Sequence, residues 1–224
     1  MKDRFTGRRV LVTDAAEFMG PAVSEMMREE GAEVFADTSD LTKVGAVEAL
    51  VKEVGHIDVL IANLAAPYTI AGAHEATEPD LAHMLDRLMF PLQRLVRAVL
   101  PQMIERRAGK IVVVGSALAL RGAAMRANYA AARGAQLAYV KTVGLEAIQH
   151  NVHVNATAQA YVENPTYYPP AYQATDDFKQ RMKQLPIGRL STGREAASLV
   201  LYLASEDSNF IVGQVFPYAG GFVT

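Results

Sequence analysis

The feature that most constrains this chain is an alternation repeated along its length, in which short apolar runs are each followed by a longer stretch with helical periodicity. "RVLVT", "AEVFAD", "DVLIAN", "KIVVVGS", "VHVNATA" and "GQVFPYAGG" read as strands. Helix-like segments lie between them. Residues 21–30 open on Pro21 and stop at Gly31, 41–54 follow, 80–107 are interrupted by Pro91, and 124–150 are rich in alanine. In 192–205, Thr192 and Glu195 form a capping-box pattern. Strands this apolar need cover on both faces and the intervening helices can supply it, so the expected fold is an α/β, doubly wound, Rossmann-like parallel sheet. At 224 residues, with no linker or repeat in the chain, one domain over 1–224 is expected.

Such sheets bind ligands beyond the carboxyl ends of the strands, where the strand order reverses. That rule selects the loop after Thr13, the Asn63 segment, Ser116 and the stretch 159–170. The first of these reads "VTDAAEFMGPAV", where a dinucleotide fold keeps a glycine-rich phosphate loop. Only Gly20 stands at a glycine position of the pattern T-G-x-x-x-G-x-G; Asp14 and Phe18 replace the other two. A ring at that turn fills space a pyrophosphate needs, and a carboxylate opposes its charge, so dinucleotide binding is expected to be weak or absent. Asp37, at the end of the second strand, argues the other way, because a dinucleotide fold keeps its ribose-binding acid there.

Ser116 ends "KIVVVGS", and Tyr129 and Arg133 follow in "NYAAAR", one turn apart on one helix face. A phenol titrates near 10, so it serves as a base at neutral pH only if its anion is stabilised. One cation about 4 Å away at an effective dielectric near 20 offers up to about 4 kcal/mol, which is sufficient. Arginine does not deprotonate in proteins, so the proton acceptor of the pair is Tyr129 and Arg133 is its electrostatic partner.

The order of elements, Thr13 with Gly20, "NLAA" from Asn63, Ser116, Tyr129 and the closing "GQVFPYAGG" together resemble the short-chain dehydrogenase/reductase superfamily over essentially the whole chain. That superfamily's dehydrogenases carry lysine four residues after the tyrosine, where this chain has Arg133. Arg133 and the altered loop both match the halohydrin dehalogenases, a cofactor-independent branch with a T-x-x-x-x-(F/Y)-x-G loop and an S-x12-Y-x3-R set. Thr13, Phe18 and Gly20 meet the first pattern; Ser116, Tyr129 and Arg133 meet the second.

The resemblance implies conversion of vicinal haloalcohols to epoxides and halide, and epoxide opening by halide, azide, cyanide or nitrite. It implies no nicotinamide, no metal and no covalent intermediate. It places halide and substrate against Phe18 and against Gln159, Ala160, Tyr161, Val162 and Tyr168 of "QAYVENPTYYPP". Ala160 stands where the family suggests a polar residue such as asparagine. Assembly as a homotetramer, through the alanine-rich helix and the long helix before it, is likewise implied by resemblance alone.

Other features point elsewhere. Net charge is −2 from 22 basic and 24 acidic residues, without long like-charged runs, so a small molecule is a better partner than nucleic acid or an anionic membrane. The absence of cysteine removes thiolate chemistry and disulfides. No apolar stretch is long enough for a bilayer, and a cytoplasmic protein is expected. His150 and His153 straddle a helix end without a neighbouring carboxylate and read as structural. Arg87, Arg94 and Arg97 share one side of a helix and read as solvated or as a subunit contact.

Overall fold

A computed structural model describes residues 3–223. Six parallel strands form one sheet: β1 (Arg9–Val12), β2 (Glu33–Ala36), β3 (Val59–Asn63), β4 (Gly109–Ser116), β5 (Val152–Gln159) and β6 (Val215–Tyr218), in the order β2-β1-β3-β4-β5-β6. The inner strands β3, β4 and β5 are buried along nearly their whole length, as the apolar runs of β3 and β4 require. One apolar layer packs Leu88, Leu92, Leu95, Leu137 and Val140 against one face, and a second packs Val23, Met27, Val200 and Leu201 against the other. The order reverses between β1 and β3, which places the crevice beside Thr13 and Asn63.

Helices α1 (Gly20–Glu29), α2 (Ala46–Val54), α3 (Glu78–Met84), α4 (Phe90–Arg106), α5 (Ala127–Ala147), α6 (Pro170–Gln173), α7 (Asp176–Gln184) and α8 (Gly193–Ala204) cover the faces and the ligand end. Thr192 and Glu195 form the expected capping box at the start of α8. No helix among the described residues is long and apolar enough to cross a membrane.

Several expected boundaries shift for identifiable reasons. The helix expected over 41–54 begins only at Ala46, because Asp40 folds 40–42 into a turn by accepting the Thr42 N–H at 3.2 Å, and Gly45 takes a left-handed φ of 81°. The segment 80–107 is α3, a π turn over Leu85–Met89, and α4. Pro91 brings no N–H and its ring crowds the carbonyl one turn back, so the ladder widens ahead of it. α5 starts three residues later than expected. The stretch after β5, read as loop, carries α6 and α7, both short and mostly exposed.

Arg94 donates to the Leu41 and Thr42 carbonyls, Arg97 pairs with Glu48 at 2.8 Å, and Arg87 approaches Asp40 at 4.0 Å. These arginines tie α4 and its π turn to the α2 region. His153 is buried, with Nε2 at 3.0 Å from the Asn209 carbonyl, and no cluster of metal-ligating side chains occurs among the described residues.

Candidate active site

Tyr129 lies in the first turn of α5 and Arg133 one turn on, both buried against the end of β4. Arg133 Nε donates to Tyr129 Oη at 3.0 Å. The same guanidinium donates to the Val114 carbonyl (3.1 Å), the Leu64 carbonyl (2.9 Å) and Gln136 Oε1 (3.0 Å). Its four partners are thus a phenol, two main-chain carbonyls and an amide, and none is a carboxylate. Neutral acceptors hold a buried cation in place without cancelling its field at the phenol oxygen, which a carboxylate would do. Gln136 is itself fixed, donating to the Leu88 carbonyl of the π turn at 2.7 Å.

Ser116 closes β4 and is 6% exposed; its Oγ accepts the Leu118 N–H at 3.3 Å, which leaves the hydroxyl hydrogen available to donate. Ser116 and Tyr129 face a cavity of about 530 Å³, while Arg133 stands behind Tyr129. All six residues expected to bind halide and substrate line this cavity: Phe18, Gln159, Ala160, Tyr161, Val162 and Tyr168. Gln159 is 3% exposed and neither amide atom has a hydrogen-bond partner among the described residues. A buried amide left unpaired on a cavity wall is costly, and a bound molecule or water relieves it. Tyr161 holds a left-handed φ of 57°. The bridge to Ser191 uses the Tyr161 carbonyl and the Glu163 N–H, leaving the Val162 N–H outside it.

Sequence reasoning missed much of the aromatic wall. Tyr68 packs on Tyr129 with ring centroids 4.5 Å apart, Tyr167 stacks on Tyr68 at 5.7 Å, and Phe18 meets Tyr167 edge-on at 6.1 Å. Tyr167 donates to the Ala66 carbonyl at 2.9 Å. Burial pushes the Tyr167 and Tyr168 phenols well above their ordinary value, so both remain neutral donors. Tyr68 lies two residues after "NLAA" and Tyr167 precedes Tyr168, so nearness to residues already selected was the available signal. Arg126, Arg181 and Phe222 also line the cavity and carried no signal.

The loop after β1 decides whether a dinucleotide fits. Asp14 and Phe18 stand at φ of 43° and 46°, the left-handed conformation that glycine adopts freely. A Cβ at Gly20 would come within 2.5 Å of the Asp14 carbonyl, so that position admits glycine alone. Asn63 Nδ2 donates to the Asp14 and Glu17 carbonyls, both at 3.0 Å, and Asp14 Oδ2 accepts the Ala65 N–H at 2.8 Å. Burial above all raises the Asp14 carboxyl. Asp37 is only partly turned to local use: Oδ1 accepts the Ser39 N–H at 3.1 Å and its carbonyl accepts the Ala15 N–H at 2.7 Å, while Oδ2 is buried with no hydrogen-bond partner among the described residues. The loop keeps the glycine backbone but fills it with a carboxylate and a ring, and the cation after Tyr129 has four of its five N–H groups engaged. These residues do not fit a nicotinamide dinucleotide.

The fold agrees with comparison to known proteins. The family described as enoyl-(acyl carrier protein) reductase matches residues 4–223. The chain belongs to the short-chain dehydrogenase/reductase superfamily. It is 28% identical over 242 residues to the 3-oxoacyl-(acyl-carrier-protein) reductase FabG of Vibrio cholerae, covering 96% of this chain and 97% of that one. A solved structure described as a dehalogenation enzyme superimposes with a TM-score of 0.89 at 33% identity, covering 99% of both chains. A halohydrin dehalogenase bound to ethyl (2S)-oxiran-2-ylacetate superimposes with a TM-score of 0.85 at 26% identity, covering 96% of this chain and 97% of that one.

Proposed function

We propose that this short-chain dehydrogenase/reductase is a cofactor-independent halohydrin dehalogenase, interconverting vicinal haloalcohols with epoxides and halide. The observation that carries the reading is the 3.0 Å contact of a carboxylate-free, buried Arg133 with Tyr129, beside a loop whose glycine positions hold Asp14 and Phe18. The likeness to the two dehalogenase structures supports it.

Ser116 and Tyr129 hold the substrate hydroxyl. Tyr129, as phenolate beside Arg133, takes the hydroxyl proton; the oxygen lone pair forms the new C–O bond at the neighbouring carbon while the C–halogen bond breaks and its electron pair leaves with halide. In reverse, halide or a small anion such as azide, cyanide or nitrite attacks the epoxide carbon, and Tyr129 returns its proton to the opening oxygen. Halide is assigned to the Phe18 side of the cavity and the Gln159–Val162 wall, where the unpaired Gln159 amide, the Val162 N–H and aromatic edges present weak donors suited to a polarisable ion. No resident metal takes part.

Purified protein given 1-bromo-2-propanol should release bromide and acid without NAD(P), and Tyr129→Phe should lower the rate at least about a hundredfold. Competent wild-type protein that releases no bromide overturns the reading. A second reading, an NAD(P)-dependent reductase, is favoured by Asp37 and by the FabG relatives. Saturable micromolar NADH or NADPH binding would favour it over the first.

A further inference from the structure

The cavity is larger, and charged differently, than a three-carbon haloalcohol requires. At about 530 Å³ it is in the range that encloses a drug-sized ligand, and above Ser116 and Tyr129 it is walled by Tyr68, Tyr161, Tyr168 and Phe222. Its lining contains two arginines, Arg126 and Arg181, and no aspartate or glutamate. Arg126 lies over the face of Tyr68, 5.0 Å from the ring centroid, and its one hydrogen bond is to the Met125 carbonyl next to it. Arg181 has only an exposed pair with Asp177 at 3.8 Å, and that carboxylate also accepts the Tyr172 hydroxyl. Beside them Arg121 covers Phe222 at 4.6 Å and donates to its carbonyl at 2.6 Å. Aromatic walls with two guanidinium groups, and no carboxylate among the described lining residues, suit a flat apolar body bearing a negative charge.

We infer that the substrate is an aryl-substituted haloalcohol or epoxide carrying an anionic group, with its ring against Tyr68 and Tyr161 and its anion at Arg126 and Arg181. This rests on the proposed dehalogenase reading for the reacting end alone. Arg126 and Arg181 are specificity-determining residues and touch no reacting atom.

The test pairs two epoxides that differ only in charge, styrene oxide and its para-carboxylate, opened by azide. The expected result is a kcat/KM preference for the carboxylate of about tenfold, shrinking in high salt and lost in the Arg126→Gln/Arg181→Gln variant. A parallel titration uses unreactive analogues, 2-phenylethanol and 4-(2-hydroxyethyl)benzoate, and the carboxylate should bind more tightly to wild type than to the variant. Equal kcat/KM and equal binding within each pair overturn the inference. So does a preference the variant leaves intact, or a variant that raises the KM of azide equally with both epoxides, since the arginines would then serve the nucleophile. Failure of both epoxides to react, with the binding preference present, supports the anion pocket and counts against the dehalogenase reading instead.

Discussion

Asp14 and Phe18 are two of the non-glycine residues that this chain holds in the left-handed region. A side chain in the left-handed region costs roughly 1–2 kcal/mol per residue, and the loop carries two such costs where glycine would carry none. Restoring the glycines removes both the strain and the obstruction. The Asp14→Gly/Phe18→Gly variant should bind NADH at least about tenfold more tightly than wild type, read by nucleotide fluorescence. Arg133→Lys should keep a cation but not the planar fork that reaches Tyr129, Val114, Gln136 and Leu64 together. Halide release should fall by at least about tenfold, with a loss of about 1–3 kcal/mol in urea unfolding from the unpaired buried carbonyls. Tyr129 and Arg133 were legible as a candidate pair because their spacing puts them on one helix face. The four-way bonding of Arg133 was not, since two of its acceptors are main-chain oxygens distant in sequence.

The π turn ahead of α4 is where element structure reaches the site. Pro91 loosens the ladder, the Leu88 carbonyl accepts from Gln136, and Gln136 in turn accepts from Arg133. Gln136→Glu would set a carboxylate against the guanidinium and draw its field from Tyr129. Its kcat/KM for the haloalcohol should fall by at least about tenfold, read by bromide release. Sequence periodicity located this break at Pro91 but could not show that the freed carbonyl would be used by α5. A Cβ at Gly144 would lie 2.6 Å from the Gly213 Cα, so the helix presses directly on the backbone leading into β6.

Across the whole molecule, the two ends of the sheet carry different chemistry. At the end opposite the cavity, Lys110 and His153 are cross-strand neighbours on β4 and β5, and Lys110 donates to Ser208 and Asn209. Burial holds the Lys110 ammonium down at about 8, against an ordinary 10.5. Between those values the unfolded chain binds more protons than the folded one, so stability rises with pH through the window; below it the desolvation cost of Lys110 is fully present and adds no pH dependence. Tyr167 and Tyr168, held neutral by burial, reverse the trend once unfolded phenols ionise. The urea midpoint should therefore climb from about pH 8 to about 9.5, and Lys110→Met should flatten the climb. Assembly belongs to this scale too. Phe90 on α4 and Leu145 on α5 are exposed apolar residues on the helices the resemblance assigns to the subunit contact, and light scattering should report four chains.

Apolar periodicity was enough to determine the parallel sheet and the crevice at its carboxyl edge, because both follow from the need to bury apolar strands, whereas the choice of Ser116, Tyr129 and Arg133 also drew on the family resemblance. Tertiary structure alone decided the aromatic wall from Tyr68 to Phe18, the carboxylate-free surroundings of Arg133 and the arginines at the cavity mouth. These depend on which loops meet across the end of the sheet, and loops far apart in the chain leave no periodic trace of the neighbours they acquire on folding.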